Sequence, residues 1–288
     1  MNYSKNINGI LLINKEKKYT SNDVVQKVKH LLNQKVGHTG TLDPNATGLL
    51  PLLIGKATLC SKYLIKHDKK YKVVLQLGIK TSTADIEGEV LETKKIDENI
   101  YKNIKDILNF FVGEQEQTPP IYSAIKVKGK KLYEYARKNQ EVEIPKRQIT
   151  IYDIQLLNIN KQENQIEFEV YCSKGTYIRS ICEDIAKKLG TVGYMKELER
   201  TKVGDFSLSD AIKINEIKEL KMPYFITIED FFKEKQSINL NNDELKNFLN
   251  GVKLAKKDSE GLYKIYSNNV FIGTGTIKNN LLKRDVII

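Results

Sequence analysis

Apolar positions along the chain fall into short strand-length runs separated by amphipathic helical stretches. Residues 9–14 (GILLIN) form a continuous apolar run, as do residues 49–54, and both read as short buried strands. Between them Val24, Val25, Val28, Leu31 and Leu32 recur at helical spacing, with Thr20 or Ser21 placed to cap the helix. A helix is also expected over residues 57–65. Another is expected over 101–111, with Ile104, Ile107, Leu108 and Phe111 on one face and Gly113 as its stop. Residues 71–77 and 148–157 read as strands. In residues 165–172, Ile166, Phe168, Val170 and Cys172 alternate with Glu167, Glu169 and Tyr171, which predicts one buried face. The stretch 172–180 then opens a helix to Leu189, its stripe made by Ile178, Ile181, Ile185 and Leu189 and its stop by Gly190. A Lys-rich stretch to Lys235 leads into a short helix near 243–249 and three strand-like runs. The pattern predicts an α+β chain with a large domain over residues 1–235 and a small β-rich module over 236–288.

Composition narrows the class. With 288 residues, 40% of them hydrophobic, the chain can build a real core, and wholesale disorder is excluded. Cys60, Cys172 and Cys182 show no C-x-x-C spacing and no even framework, so a reducing, cytoplasmic setting is expected. No apolar stretch has the length of a membrane span, so no membrane partner is expected. His30, His38 and His67 lie far apart with no ligand-spaced neighbour, so neither a metal nor a cofactor is expected. The formal net charge of +11 is spread along the chain and suits a polyanion such as nucleic acid, although a Lys-rich genome gives the same excess.

The candidate chemistry centres on residues 37–48, Gly-His-Thr-Gly-Thr-Leu-Asp-Pro-Asn-Ala-Thr-Gly, where Asp43 is the single carboxylate. Pro44 disfavours helix at Asp43, and the glycines allow backbone angles closed to other residues, so Asp43 is expected on a rigid loop. An Asp before Pro is also ordinary turn chemistry. Tyr71 opens a strand, where half-buried packing is the usual role. Asp85 and Glu87 could supply a second carboxylate or merely cap a turn. Residues 118–147 interleave Tyr122, Tyr133 and Tyr135 with Lys126, Lys128, Lys130, Lys131 and Arg137. That mixture suits phosphates and unstacked bases, or a solvated hairpin and helix. Arg179 near a helix start opposes the helix dipole, which calls for a carboxylate or phosphate partner unless solvent serves.

Residues 37–48 resemble the catalytic loop of the TruB family of pseudouridine synthases. The resemblance extends to Asp68-Lys69-Lys70-Tyr71, to Thr118-Pro119-Pro120 with Tyr122 and Lys126, to Ser173-Lys174-Gly175-Thr176-Tyr177-Ile178-Arg179, and to Gly193-Tyr194-Met195 with Leu198 and Arg200. It implies the pseudouridine synthase fold, with a central, mainly antiparallel sheet, an RNA-gripping thumb at about 118–147 and a PUA-like RNA-binding domain at 236–288. It further implies conversion of uridine 55 in the T loop of tRNA to pseudouridine, by base flipping, cleavage of the N-glycosidic bond and rejoining through carbon 5. Asp43 would be the catalytic carboxylate, Arg179 would pair with it and lower its pKa, and Tyr71 would stack on the uracil, its phenol able to accept a ribose proton. Leu198 would line the uracil pocket, and His38 would fill the space left by the flipped base. Lys174, Lys126 and Tyr122 would touch substrate, and the enzyme would work on the T arm as a monomer. An inactive RNA-binding or tRNA-folding protein on the same scaffold is the alternative. A nucleoside or glycoside hydrolase is a third reading, but it needs a second carboxylate facing Asp43.

Three departures from the family pattern stand out. Glu16 and Lys18 replace a Pro and a Gly before the first helix, which predicts a looser turn with its cap intact. Asn139 stands where a Gly is usual. Leu59 replaces a Lys, and Lys56 or Lys62, spaced along one side of the expected helix, could supply the missing charge.

Overall fold

A computed structural model describes residues 7–138, 140–219 and 224–288, so Asn139 lies outside the described residues. β1 (Gly9–Lys15) leads into α1 (Ser21–Leu32), then β2 (Val36–His38), β3 (Thr47–Ile54), the single turn α2 (Ser61–Leu64), β4 (Lys69–Leu77) and a hairpin of β5 (Ile79–Thr81) and β6 (Val90–Thr93). Next come α3 (Ile104–Phe110) and β7 (Gly113–Gln117), then a small ribbon of β8 (Lys126–Val127) and β9 (Lys130–Lys131), and α4 (Leu132–Ala136). The chain returns through β10 (Arg147–Asn160), β11 (Gln165–Cys172), α5 (Ile178–Lys188), β12 (Gly193–Val203), β13 (Phe206–Ser207), β14 (Phe225–Thr227) and α6 (Ile228–Phe231). The C-terminal part holds β15 (Ser237–Asn239), α7 (Asn242–Leu249), β16 (Leu254–Ala255), β17 (Gly261–Ser267), β18 (Val270–Lys278) and β19 (Leu281–Ile287).

The central sheet runs β14-β1-β3-β12-β4-β11-β10-β7, with β2 and β13 on its margins. Its pairings are antiparallel except that of β3 with β12, which is parallel and pairs Thr47 with Glu199 and Gly48 with Arg200. The alternation in β11 is realised: Ile166, Phe168, Val170 and Cys172 are buried and pair with Leu75, Val73, Tyr71 and Lys69 of β4. The stripes of α1, α3 and α5 close the same core, where Val28, Leu108 and Ile185 sit with Val73 and Phe168. Burying one such leucine or isoleucine contributes about 1.5–3 kcal/mol, so these faces dictate the register.

Two expected helices are shorter than the pattern suggests. Residues 57–65 split into a 3₁₀ turn (Gly55–Cys60) and α2, and Ala57, Cys60 and Leu64 are buried across the pair. Residues 101–111 likewise divide into a 3₁₀ turn (Glu98–Asn103), capped by Asp97, and α3. A stripe at three- and four-residue spacing is compatible with either winding, so periodicity alone does not separate them. Gly113, at φ 117°, starts β7 rather than capping the helix.

The C-terminal sheet, β15-β17-β18-β19-β16, has its own core around Phe248, Ile265 and Leu282. It is also stitched to the large domain. Val286 of β19 is buried with Ile10, Leu12 and Leu49, and Asp285 accepts hydrogen bonds from Lys62 and Tyr63.

Candidate active site

The Asp43 loop is held from several directions. Ser21 Oγ accepts the Leu42 N–H at 2.8 Å and donates to the Leu42 carbonyl at 3.2 Å. The Asp43 carbonyl accepts the Ala46 N–H at 3.0 Å, a turn that Pro44 pre-sets. The Pro44 carbonyl accepts from the Lys18 N–H at 2.9 Å and from Lys15 Nζ at 3.1 Å. The departure before α1 therefore leaves a closed turn rather than a loose one: Lys18 takes φ 71°, and Thr20 caps α1 in a reciprocal pair with Asp23. At the far end of the loop, Gly48 is at φ 99°, and a Cβ there would lie 2.4 Å from the Arg200 carbonyl oxygen. Only glycine lets β3 and β12 approach so closely.

Asp43 faces Arg179, whose Nε lies 3.2 Å from Asp43 Oδ2. Arg179 is 6% exposed, so the solvated alternative is excluded. Its Nη2 donates to the Tyr122 carbonyl at 3.0 Å and its Nη1 to the Thr83 carbonyl at 3.2 Å. Nη1 also lies 3.5 Å from Asp85 Oδ2. Asp85 is thus the second carboxylate on this guanidinium, which the linear sequence left undecided. Its Oδ1 accepts from Thr83 Oγ1 at 2.5 Å and the Glu87 N–H at 3.0 Å, so its role here is to hold Arg179. Burial outweighs Arg179, which lowers the Asp43 pKa as expected. Burial pushes the Asp43 carboxyl above its ordinary range, Arg179 opposes this, Asp85 adds to it, and Lys15 opposes it more weakly.

Asp43 and Arg179 open onto a cavity of about 480 Å³ that is also lined by Tyr71, Tyr122, Leu198 and Tyr177. Tyr71 is buried, and burial pushes its phenol up to about 12 against the opposing pull of Arg200. Lys126 and Lys174 are exposed and lie outside the lining, Lys126 on β8 and Lys174 beside the lining residue Gly175. His38 sits on β2 and is not a lining residue either. Its imidazole pKa is lowered by burial and then by Arg200, and its Nδ1 is buried without a hydrogen-bond partner.

Sequence reasoning missed three buried cations, Lys69 and Arg200 in the cavity lining and Lys15 against the Asp43 loop. Lys15 ends β1 on the face of Leu11 and Ile13, Lys69 begins β4 on the face of Tyr71, and Arg200 shares the inner face of β12 with Leu198. Burial lowers both Lys15 and Lys69 to about 8, with Asp43 opposing the shift at Lys15. The signal was present, since each cation occupies an inward position of its strand. In β12 it was blurred by bulges at 195–197 and 200–202, which break the two-residue period.

The TruB family pseudouridylate synthase N-terminal model matches residues 28–178, which contain Asp43, Tyr71 and the root of the insertion. The chain belongs to the TruB family. Two further TruB models, of C-terminal domains, match residues 179–249 and 237–284. A tRNA pseudouridine synthase B of Aquifex aeolicus is 43% identical over 281 residues, covering 96% of this chain and 98% of that protein. One of Alkaliphilus oremlandii is 50% identical over 216 residues, covering 75% and 71%. Among solved structures, a chain in an H/ACA RNP bound to a substrate RNA containing 2′-deoxyuridine superposes with a TM-score of 0.67 at 21% identity, over 97% of this chain and 85% of that one. At that identity the likeness speaks for the TruB fold alone. Among the described residues no group of His, Cys, Asp and Glu could hold a metal ion, and no helix is long and apolar enough to cross a membrane.

Proposed function

We propose that this TruB protein isomerises uridine 55 in the T loop of tRNA to pseudouridine, with Asp43 as the catalytic carboxylate. The observation that carries the reading is the Asp43–Arg179 pair at 3.2 Å, open to a cavity lined by Tyr71 and Leu198. The cavity volume falls within the roughly 300–1,000 Å³ of small-ligand sites, enough for an extruded nucleoside. The relatives' name, tRNA pseudouridine synthase B, supports tRNA as the substrate. In the reaction the N1–C1′ bond breaks, the uracil turns, the C5–C1′ bond forms, and the hydrogen lost from carbon 5 is balanced at N1. Mass is unchanged. Asp43, held ionised by Arg179, engages the sugar–uracil linkage, while Tyr71 and Leu198 wall the base. Lys126 and Tyr122 on the insertion, with Lys174, receive the T arm, and the β-rich module at 236–288 serves as a second RNA-binding domain. The His38 ring takes the place of the extruded base.

The test is incubation with unmodified tRNA, mapping of pseudouridine at single-nucleotide resolution and a mass measurement. The expected result is one new pseudouridine at position 55 without release of uracil. Uracil release would indicate a hydrolase, and tRNA binding without product would indicate a pure RNA binder. Asp43→Asn should abolish turnover while leaving tRNA affinity within about threefold, because phosphate contacts dominate binding. Measurable product from a clean Asn variant would remove Asp43 from its role.

A further inference from the structure

We infer that Lys69 is a substrate-binding residue that holds, at the cavity mouth, one of the two phosphates flanking the extruded uridine, with Arg200 adding its charge. This phosphate subsite rests on the uridine-isomerising reading above and deepens it. Lys69 and Arg200 both line the cavity, and they are 7% and 1% exposed. The strands place them together. Arg200 stands opposite Tyr71 in the register of β4 and β12, and Lys69 lies two residues before Tyr71 on the same buried face. The Lys69 ammonium donates to the His67 carbonyl and reaches the Ile65 carbonyl at 3.5 Å. An ammonium has three N–H donors, and these two carbonyls are its only acceptors among the described residues. Ile65 itself lines the cavity and is 52% exposed, so Lys69 is tethered where the cavity meets solvent.

Among the described residues no carboxylate forms an ion pair with Lys69 or Arg200. Asp43 and Asp85 are both taken by Arg179. Two buried cations without a counter-ion are costly, and they repel one another. Burial first and Arg200 second lower the Lys69 ammonium to about 8. An anion seated beside it offsets both effects. Uracil and ribose are neutral, so the anion that an extruded nucleotide can bring is a phosphate. Flipping turns the nucleotide about its backbone, so the base enters the cavity while the flanking phosphates stay at its mouth. Lys69 is tethered at that mouth. A mere strap on the carbonyls of residues 65 and 67 needs no charge, because a glutamine amide could donate to them as well.

The test measures Kd for a T-arm stem-loop RNA in the Asp43→Asn background, so that binding is read without turnover, with and without Lys69→Gln. Three RNAs are compared: one all phosphodiester, and two with a neutral methylphosphonate linkage on the 5′ or the 3′ side of the target uridine. Lys69→Gln should raise Kd about tenfold on the all-phosphodiester RNA. On one of the two neutral-linkage RNAs it should cost less than about twofold, which identifies the phosphate. Equal cost on all three RNAs, or no cost on any, would overturn the inference. The linkage arm also stands without a Lys69 variant, should Lys69→Gln fold poorly. In the protein that keeps Lys69, the neutral linkage at the contacted phosphate should by itself raise Kd about tenfold. Affinity within about twofold for both neutral-linkage RNAs would overturn the inference too. A wild type that forms no pseudouridine would defeat the reading of the site itself, an outcome separate from these binding results.

Discussion

Asp43 is a carboxylate that two influences pull in opposite directions. Burial and Asp85 raise its pKa, Arg179 and Lys15 oppose them, and burial wins. An acid that works ionised loses activity as pH falls through its pKa, so the acid limb of the rate profile should lie above the ordinary value of about 3.9. Arg179→Gln removes the stronger opposing cation, so the limb should move to higher pH while the plateau drops. A pH series of single-turnover rates reads both, and an unmoved limb would deny Arg179 its hold on Asp43. Lys18 carries a different cost. It keeps a left-handed backbone, φ 71°, where its N–H reaches the Pro44 carbonyl. Lys18→Gly should stabilise the fold by about 0.5–1 kcal/mol in a denaturant melt, since glycine accepts that conformation without steric cost.

Among the elements, the short 3₁₀ turn and α2 decide the question raised by Leu59. Leu59 is 49% exposed and cannot meet a phosphate. Of its two proposed substitutes, Lys62 is engaged by Asp285 of the C-terminal sheet. Lys56 is exposed and shares a surface hollow with Leu59 and Lys35. Lys56→Gln should therefore flatten the dependence of log K for tRNA on log salt by about 0.7–0.9, and Leu59→Lys in that variant should restore it. Lys62→Gln should leave the slope unchanged. An equal loss of slope in the Lys62 variant would show that its ion pair with Asp285 opens on RNA.

Over the whole molecule, the insertion divides into a root and a tip. The root belongs to the site: the Tyr122 carbonyl accepts from Arg179, the Thr118 carbonyl from Ser180, and the Gln117 side chain bonds Tyr177 at both N–H and carbonyl. The tip carries Lys126, Lys128, Lys130 and Lys131 on exposed or half-exposed positions. Replacing Lys126, Lys128, Lys130 and Lys131 by Gln, which leaves the cavity-lining Tyr133 in place, should raise Kd for tRNA and flatten its salt slope, with the single-turnover rate at saturation kept within about threefold. A collapse of that rate would mean the tip also shapes the cavity. The C-terminal sheet is not freely separable, because Val286 completes a core shared with β1 and β3.

The linear order of residues determined much of this protein. Alternation in β11 and the stripes of α1 and α5 placed the core strands and helices, since side-chain burial follows backbone period wherever one face is covered. The motif around Asp43, with Tyr71 and Arg179, named the cavity's principal groups. Tertiary structure alone decided how they are held. Asp85 reaches Arg179 across 94 positions of chain. Arg200, Lys15 and Lys69 come together only because three strand ends meet beside one loop. Whether a carboxylate's pKa rises or falls depends on how much water remains around it and which charges fold against it, and neither quantity is written in local sequence.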